Sequence, residues 1–271
     1  MKSRENGAVF AARKLNGEAS GIRRGGFFRC VRAELIKLRH SAMWFAVFAL
    51  PLIGVLIGTG NYFINADALT GDPWFDLWTQ VALFFGYFFY PVLAAVVAGY
   101  LWRVEHFDHN WNGLMTTPVS ASSIWFSKLF VLFIMAALCQ AVNILMYWAA
   151  GAFILRLPGS MPSYWWWWMV GGPSAVMAGA SIQSYLSMRI RSFAVPVGIS
   201  LALCVIGIAC YSRGIWFFPN TLAIIGINAQ HEGLPTIIDM TKVLGGTVFW
   251  IAAASFAGIR YLEKTDVKSE R

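Results

Sequence analysis

Six long apolar runs, separated by polar stretches, dominate the pattern of hydrophobic and polar positions along the chain. Each run is close to or longer than the ~20 residues that a helix needs to cross a bilayer. The runs cover residues 43–64, 77–102, 129–154, 165–188, 193–211 and 240–259. The pattern therefore predicts an all-α, polytopic membrane protein with six transmembrane helices.

The segment before the first run, residues 23–40, mixes charges with hydrophobes. Phe28, Val31 and Leu35 recur there at helical spacing and share one stripe. An amphipathic helix of this kind lies in the inner membrane interface, so we expect an elbow that leads into the first span. The residues expected to form this elbow helix are Phe28, Val31, Arg32, Glu34, Leu35 and Lys37.

The polar stretch between the second and third runs, residues 106–128, is longer than a plain connection requires. A short helix is expected here, ended by Pro118 and followed by Ser120 or Ser122 as the cap of the next helix. The residues that this helix is expected to expose are Asn110, Trp111, Asn112, Leu114 and Met115. A small surface of mixed polar and apolar groups favours a docking element for another protein. The alternative is an ordinary long loop.

Residues 214–228, "GIWFFPNTLAIIGIN", are apolar but too short to cross the membrane. Pro219 and Asn220 interrupt them in the middle, which favours two short limbs around a turn. We therefore expect a re-entrant or interfacial hairpin on the outer side, between spans five and six. Irregular backbone at that depth must be surrounded by protein or water, so this half is expected to pack against another subunit.

Composition and charge agree with a membrane protein and add an orientation. The chain is 58% hydrophobic and 13% charged, whereas soluble domains carry about 25% charged residues. Eighteen of its twenty-one Lys and Arg residues lie at the ends and loops that the six-span pattern puts on one side. The positive-inside rule then places both termini in the cytoplasm. The net charge of +8 is explained by this asymmetry and by anionic lipid, with no nucleic acid as a partner.

The same pattern sets the domain bounds. Residues 1–22 are expected to form a flexible cytoplasmic tail, residues 23–264 a single six-span domain, and residues 265–271 a second cytoplasmic tail.

Candidate chemistry is sparse. The sequence has no GxxxxGK[ST] motif, so this chain is not expected to bind ATP in a P-loop. His106, Asp108 and His109 stand near Glu105, but they lack a further ligand at a fixed spacing, so we expect no metal site and no catalytic residue. Glu105 is instead expected to form an ion pair with Arg32, Lys37 or Arg39.

Three polar residues lie at bilayer depth in the third run. Gln140, Asn143 and Tyr147 follow i, i+3, i+7 spacing and share one helix face. They either form hydrogen bonds between helices or line a path for cargo.

One sequence pattern points to a family. The elbow "RAELIKLRHS" and the pattern E-x(8)-L-x(3)-P-V-S-x(3)-I-x(3)-K resemble the permeases of type-two ABC exporters, most of all those of lantibiotic-protection exporters. The residues that match are Glu105, Leu114, Pro118, Val119, Ser120, Ile124 and Lys128.

The resemblance implies a function. The loop between spans two and three would be a cytoplasmic coupling helix, seated in a cleft of an ATPase subunit. The residues implied in coupling are Glu105, Asn110, Trp111, Leu114, Met115 and Pro118. The chain would pair with a second copy or a sister permease and with an ATPase dimer that binds ATP and magnesium, so that this chain itself holds no cofactor. It would act in the plasma membrane and export a lantibiotic-like peptide, a drug or a lipid-linked molecule.

Two other classes remain open from the residues alone. One is a membrane-embedded enzyme of lipid chemistry, and the other is a membrane scaffold that transports nothing. Co-purification of an ATPase would distinguish the exporter permease from both of these alternatives.

Overall fold

A computed structural model describes residues 26–107, 110–117 and 119–265, and within these ranges the regular structure is helical, without strands. The helices are α1 (Gly26–Leu38), α2 (Met43–Ile64), α3 (Pro73–Phe84), α4 (Tyr90–His106), α5 (Asn110–Thr116), α6 (Ala121–Ala149), α7 (Trp165–Arg189), α8 (Ala194–Ser212), α9 (Pro219–Ile227) and α10 (Ile237–Lys264). A 3-10 turn covers Ala66–Ala68, and π-helical turns cover Phe85–Phe89 and Ala150–Leu155. The predicted tail of residues 1–22 and all but the first residue of the predicted tail of residues 265–271 lie outside the described residues, as does Pro118.

Five helical segments in the described part of the chain are long and apolar enough to cross a membrane. They are Met43–Ile64, Pro73–His106, Ala121–Leu155, Ala194–Ser212 and Ile237–Lys264. They correspond to predicted spans one, two, three, five and six. Spans two and three contain 34 and 35 residues, more than the ~20 that a bilayer requires, so both continue beyond its apolar core.

The predicted fourth span is also a helix, α7, but its composition is less apolar than that of the other five. It is 25 residues long and packs against α4, α6, α9 and α10. Because protein surrounds it, α7 can carry buried polar groups such as Ser181, Gln183 and Ser184. Apolarity alone therefore supports five spans and does not identify α7 as a sixth.

Side-chain caps start three of the helices. Asp72 accepts a hydrogen bond from the Phe75 amide at the start of α3, and Ser120 accepts one from Ser123 at the start of α6. Thr236 accepts one from Asp239 at the start of α10. Such caps satisfy amides that have no partner within the helix. Of the two predicted caps for α6, Ser120 is therefore confirmed.

The elbow segment forms α1, but its buried face differs from the predicted stripe. Val31, Glu34 and Leu38 are buried, and α1 packs on α6. Phe28 is 75% exposed and Leu35 is 40% exposed, so these two residues of the stripe face away from the bundle, while Val31 faces into it. On the face that packs on α6, the Glu34 carboxylate is bonded by two lysines.

The segment between α8 and α10 also differs from its prediction. Pro219 starts α9 and does not divide it, because the preceding residues form turns and no first helical limb. All of α9 except Ile225 is buried, against α7, α8 and α10 of the same chain. Trp78 donates a hydrogen bond to the Ile227 carbonyl at its end. This chain therefore supplies packing that we had expected from another subunit.

Candidate functional site

Four charged side chains form a closed ring where α1, α4 and α6 meet. The Lys128 ammonium lies 2.9 Å from Glu34 Oε1 and 2.8 Å from Glu105 Oε1. The Lys37 ammonium lies 2.9 Å from Glu34 Oε1 and 2.5 Å from Glu105 Oε1. Each lysine thus bridges both carboxylates, and we refer to these four residues as the charge ring.

The charge ring has no net formal charge, and three of its four side chains are buried. Lys128 is 0% exposed, and Glu34 and Glu105 are 4% and 3% exposed. A buried charge is tolerated only when it is paired and hydrogen-bonded. Lys128 meets this condition, since its third hydrogen bond goes to the Leu101 carbonyl at 2.9 Å and the Trp102 ring centre lies 4.9 Å from Nζ.

Lys37 is the more accessible of the two lysines. Burial lowers the pKa of its ammonium, but the carboxylates of Glu34 and Glu105 outweigh burial and hold that pKa above its usual value. Lys37 is therefore charged at neutral pH.

Hydrogen bonds extend from the ring to its surroundings. Tyr100 donates to the Lys37 carbonyl at 3.1 Å, which fixes the end of α1 against α4. Trp102 donates to Ser184 Oγ at 2.8 Å, which joins α4 to α7. The elbow and three long helices are thus tied together at one end of the bundle.

Helix α5 lies beside this end, at the predicted coupling position. His106 stacks on Trp111 with ring centres 5.5 Å apart, and Tyr261 of α10 meets the edge of Trp111 at 6.5 Å. Asn110 donates to the Val104 carbonyl at 2.9 Å. These contacts hold α5 across the ends of α4 and α10.

The burial of Trp111 corrects one expectation. Trp111 is 5% exposed, so it is not the exposed anchor that the sequence suggested. Asn110 is exposed, while Asn112, Leu114 and Met115 are half-buried. Trp111 therefore attaches α5 to its own chain, and the accessible surface of α5 includes Asn110, Gly113 and Thr116, with Leu114 and Met115 partly accessible.

The predicted polar face of α6 lies inside the bundle. Gln140, Asn143 and Tyr147 are each 0% exposed. Gln140 donates to the Trp168 carbonyl at 2.9 Å, and Tyr147 donates to the Trp74 carbonyl at 2.7 Å. For Gln140 and Tyr147 the structure thus shows hydrogen bonds between segments, one of the two alternatives. A role in a cargo path stays a prediction.

The described residues contain no group of three or more His, Cys, Asp and Glu side chains placed to hold a metal ion. His106 Nε2 lies 3.2 Å from the Ser187 carbonyl, a contact that fixes its ring beside Trp111. Asp108 and His109 lie outside the described residues.

Sequence reasoning found part of the charge ring. Of the three partners suggested for Glu105, Lys37 is confirmed. The sequence places Glu34 in the elbow helix and Lys128 in the family pattern, and it predicts an ion pair for neither. Glu105 and Lys128 lie 23 residues apart and both belong to that pattern, which was the sequence signal available for their ion pair.

These features define a class of protein: a polytopic, helical membrane protein with a buried charge ring where α1, α4 and α6 meet. The family model described as ABC-2 family transporter protein matches residues 30–207. The chain therefore belongs to the ABC-2 family of transporter proteins and is a transmembrane component of an ABC transporter. Membership implies association with a membrane and with an ABC ATPase. No curated protein matches the chain.

The matched region has a clear relation to the structure. It begins within α1 and ends within α8, and so it includes α5 and all four residues of the charge ring. Helices α9 and α10 lie beyond it.

Proposed function

We propose that this chain is the permease subunit of an ATP-driven exporter and that α5 is the helix through which a separate ATPase moves it. The observation that carries the proposal is the attachment of α5 beside the charge ring. A helix that transmits force needs rigid contact with the spans. Trp111 supplies contact with α4 and α10, and the charge ring joins α4 to α1 and α6. The exposed residues of α5 are then left to meet the partner.

The proposed topology has six spans and two cytoplasmic termini. Helix α7 is the sixth span, because 25 residues of helix reach ~37 Å at 1.5 Å per residue, enough for a ~30 Å bilayer core. The charge asymmetry of the sequence supports the orientation. In this orientation α1 is an interfacial elbow, α5 and the charge ring face the cytoplasm, and α9 is a re-entrant element of the outer half.

The proposed assembly contains two permeases and two ATPase subunits. Only four residues of α8, Pro196, Ser200, Cys204 and Gly207, are buried in this chain. The remaining faces of α8, and much of α2, are therefore available to lipid or to a second permease, identical or related. ATP and magnesium would bind in the ATPase, so we propose no cofactor for this chain.

The proposed cargo is hydrophobic or amphipathic, such as a lantibiotic-like peptide or a drug. An apolar groove of about 540 Å³ along α6 is consistent with cargo or lipid at this surface. Phe126, Phe130 and Phe133 line it together with Met177 and Ile251. The peptide alternative rests on the resemblance of the sequence to permeases of lantibiotic-protection exporters.

A purification experiment tests the proposed function. The tagged chain is extracted from its native membranes in mild detergent, and the associated proteins are identified. We expect an ABC ATPase at a ratio of one per permease, with ATP hydrolysis in the purified complex. Recovery of the intact permease without an ATPase would favour the scaffold or the lipid-modifying enzyme.

A further inference from the structure

A small polar chamber lies inside the bundle where α4, α7, α8 and α9 meet. Its walls include Pro91, Gly179, Gln183, Ser200, Asn220 and Ala223. Small residues leave the space open, since α7 presents Gly179 one turn before Gln183. The chamber offers about 10 Å³ to the centre of a water molecule, which is close to the ~10–15 Å³ that one water needs.

Gln183 is the reason to expect an occupant. Its side chain is 2% exposed, and neither Oε1 nor Nε2 has a hydrogen-bond partner among the residues that the structure describes. An amide that is buried without partners loses its hydrogen bonds to bulk water and has no others to replace them, which costs free energy. A ligand that both donates and accepts hydrogen bonds would satisfy both atoms.

Two further polar groups face the same space. Ser200 donates its hydroxyl proton to the Pro91 carbonyl at 3.3 Å, so the lone pairs of its oxygen are available to accept. Asn220 donates from Nδ2 to Cys204 Sγ at 3.5 Å. Its Oδ1 lies 3.3 Å from where a Cβ on Gly179 would stand.

We propose that this chamber binds one water molecule, which donates to side-chain oxygens and accepts from the Gln183 amide. A buried water typically makes about three such bonds, and Gln183, Ser200 and Asn220 provide that number of partners. A metal cation fits less well, because the six residues named bring no carboxylate and the Gln183 amide hydrogens would oppose it. Helix α7 would then be joined to α8 and α9 here through water.

The test combines a structure with a footprint on the full-length chain in lipid nanodiscs. A map at a resolution that shows ordered waters should contain a single density within hydrogen-bond distance of Gln183. X-ray hydroxyl-radical labelling should oxidise side chains beside this water, despite their burial. An empty chamber, or no labelling of its walls, would contradict the proposal.

Two variants make the result specific. Gly179→Ala places a methyl group in the chamber, and Gln183→Met removes the amide that holds the water. Val176 also lines the chamber, and in each variant we expect the labelling at Val176 and Pro91 to be lost. Gly198→Ala is the matched control, since nothing lies within 4 Å of a Cβ there. Unchanged labelling in both variants, or a density that depends on sodium or potassium, would overturn the assignment of water.

Discussion

Lys128 is the most constrained charge in the described part of the molecule, because every donor on its ammonium is bonded inside the bundle. Removing its charge leaves two buried carboxylates opposite Lys37 alone. Breaking a buried ion pair in this way costs about 3–5 kcal/mol. We therefore expect Lys128→Met to lower the thermal unfolding temperature of the purified chain and its abundance in the membrane.

A control and a second-site change distinguish charge from packing. Lys242→Met removes a partly exposed lysine paired with Asp239 at 3.2 Å, and it should cost under about 1 kcal/mol. Combining Lys128→Met with Glu105→Gln restores neutrality and should recover part of the loss. If Lys128→Met is no worse than Lys242→Met, the charge ring does not stabilise the fold.

Sequence reasoning reached Lys37 and Glu105 because charges at two neighbouring helix ends tend to pair. It did not reach the closed ring, since Glu34 and Lys128 lie 94 residues apart and meet only once α1 packs on α6. The burial of Trp111 was missed for a similar reason. Its ring packs between His106, five residues away, and Tyr261, 150 residues away, and helical spacing within α5 contains no information about the latter.

At the scale of elements, α2 and α3 come into close contact at Gly58. A Cβ on this glycine would lie 2.6 Å from the backbone of Val81, so a methyl group fits only if the helices separate. Overpacking of this kind costs about 1–3 kcal/mol. We expect Gly58→Ala to lower the unfolding temperature measured in detergent.

Gly60 provides a matched control on the same helix. Nothing lies within 4 Å of a Cβ there, so Gly60→Ala should be neutral or slightly stabilising. Equal effects of the two substitutions would show that α2 and α3 are not packed as described.

The attachment of α5 gives a second prediction at this scale. Trp111→Ala removes the ring that packs on His106 and Tyr261, and truncation of a buried Trp costs about 3–5 kcal/mol. We expect α5 to loosen, so that limited proteolysis cleaves between α4 and α6 faster than in the unmodified chain. Gly113→Ala is the control, since Gly113 is exposed and nothing lies within 4 Å of a Cβ there. Equal cleavage in both variants would contradict the attachment.

Helix α7 shows where element prediction from hydropathy reaches its limit. Its bounds were predicted almost to the residue, because the aromatic run starts it and Arg189 ends it. Its apolarity is lower because it packs against four neighbouring helices. The same packing explains why α9, predicted as a broken hairpin, is one buried helix.

For the whole molecule, the six-span topology predicts that both termini are cytoplasmic. A reporter that is active only outside the cell should be silent when fused to either end. The same reporter should be active when inserted at Ser160, an exposed position in the loop between α6 and α7. Activity from either terminal fusion would contradict six spans in this orientation.

The central claim, that α5 receives the ATPase, is tested most directly by site-specific photocrosslinking in cells. Gly113 is exposed, and nothing lies within 4 Å of a Cβ there, so a photoreactive residue at this position should leave the fold intact. The account predicts a crosslink from position 113 to an ABC ATPase, and none from position 160 at the other end of the bundle. Equal crosslinking from both positions, or none from 113 in a complex that still contains the ATPase, would contradict it.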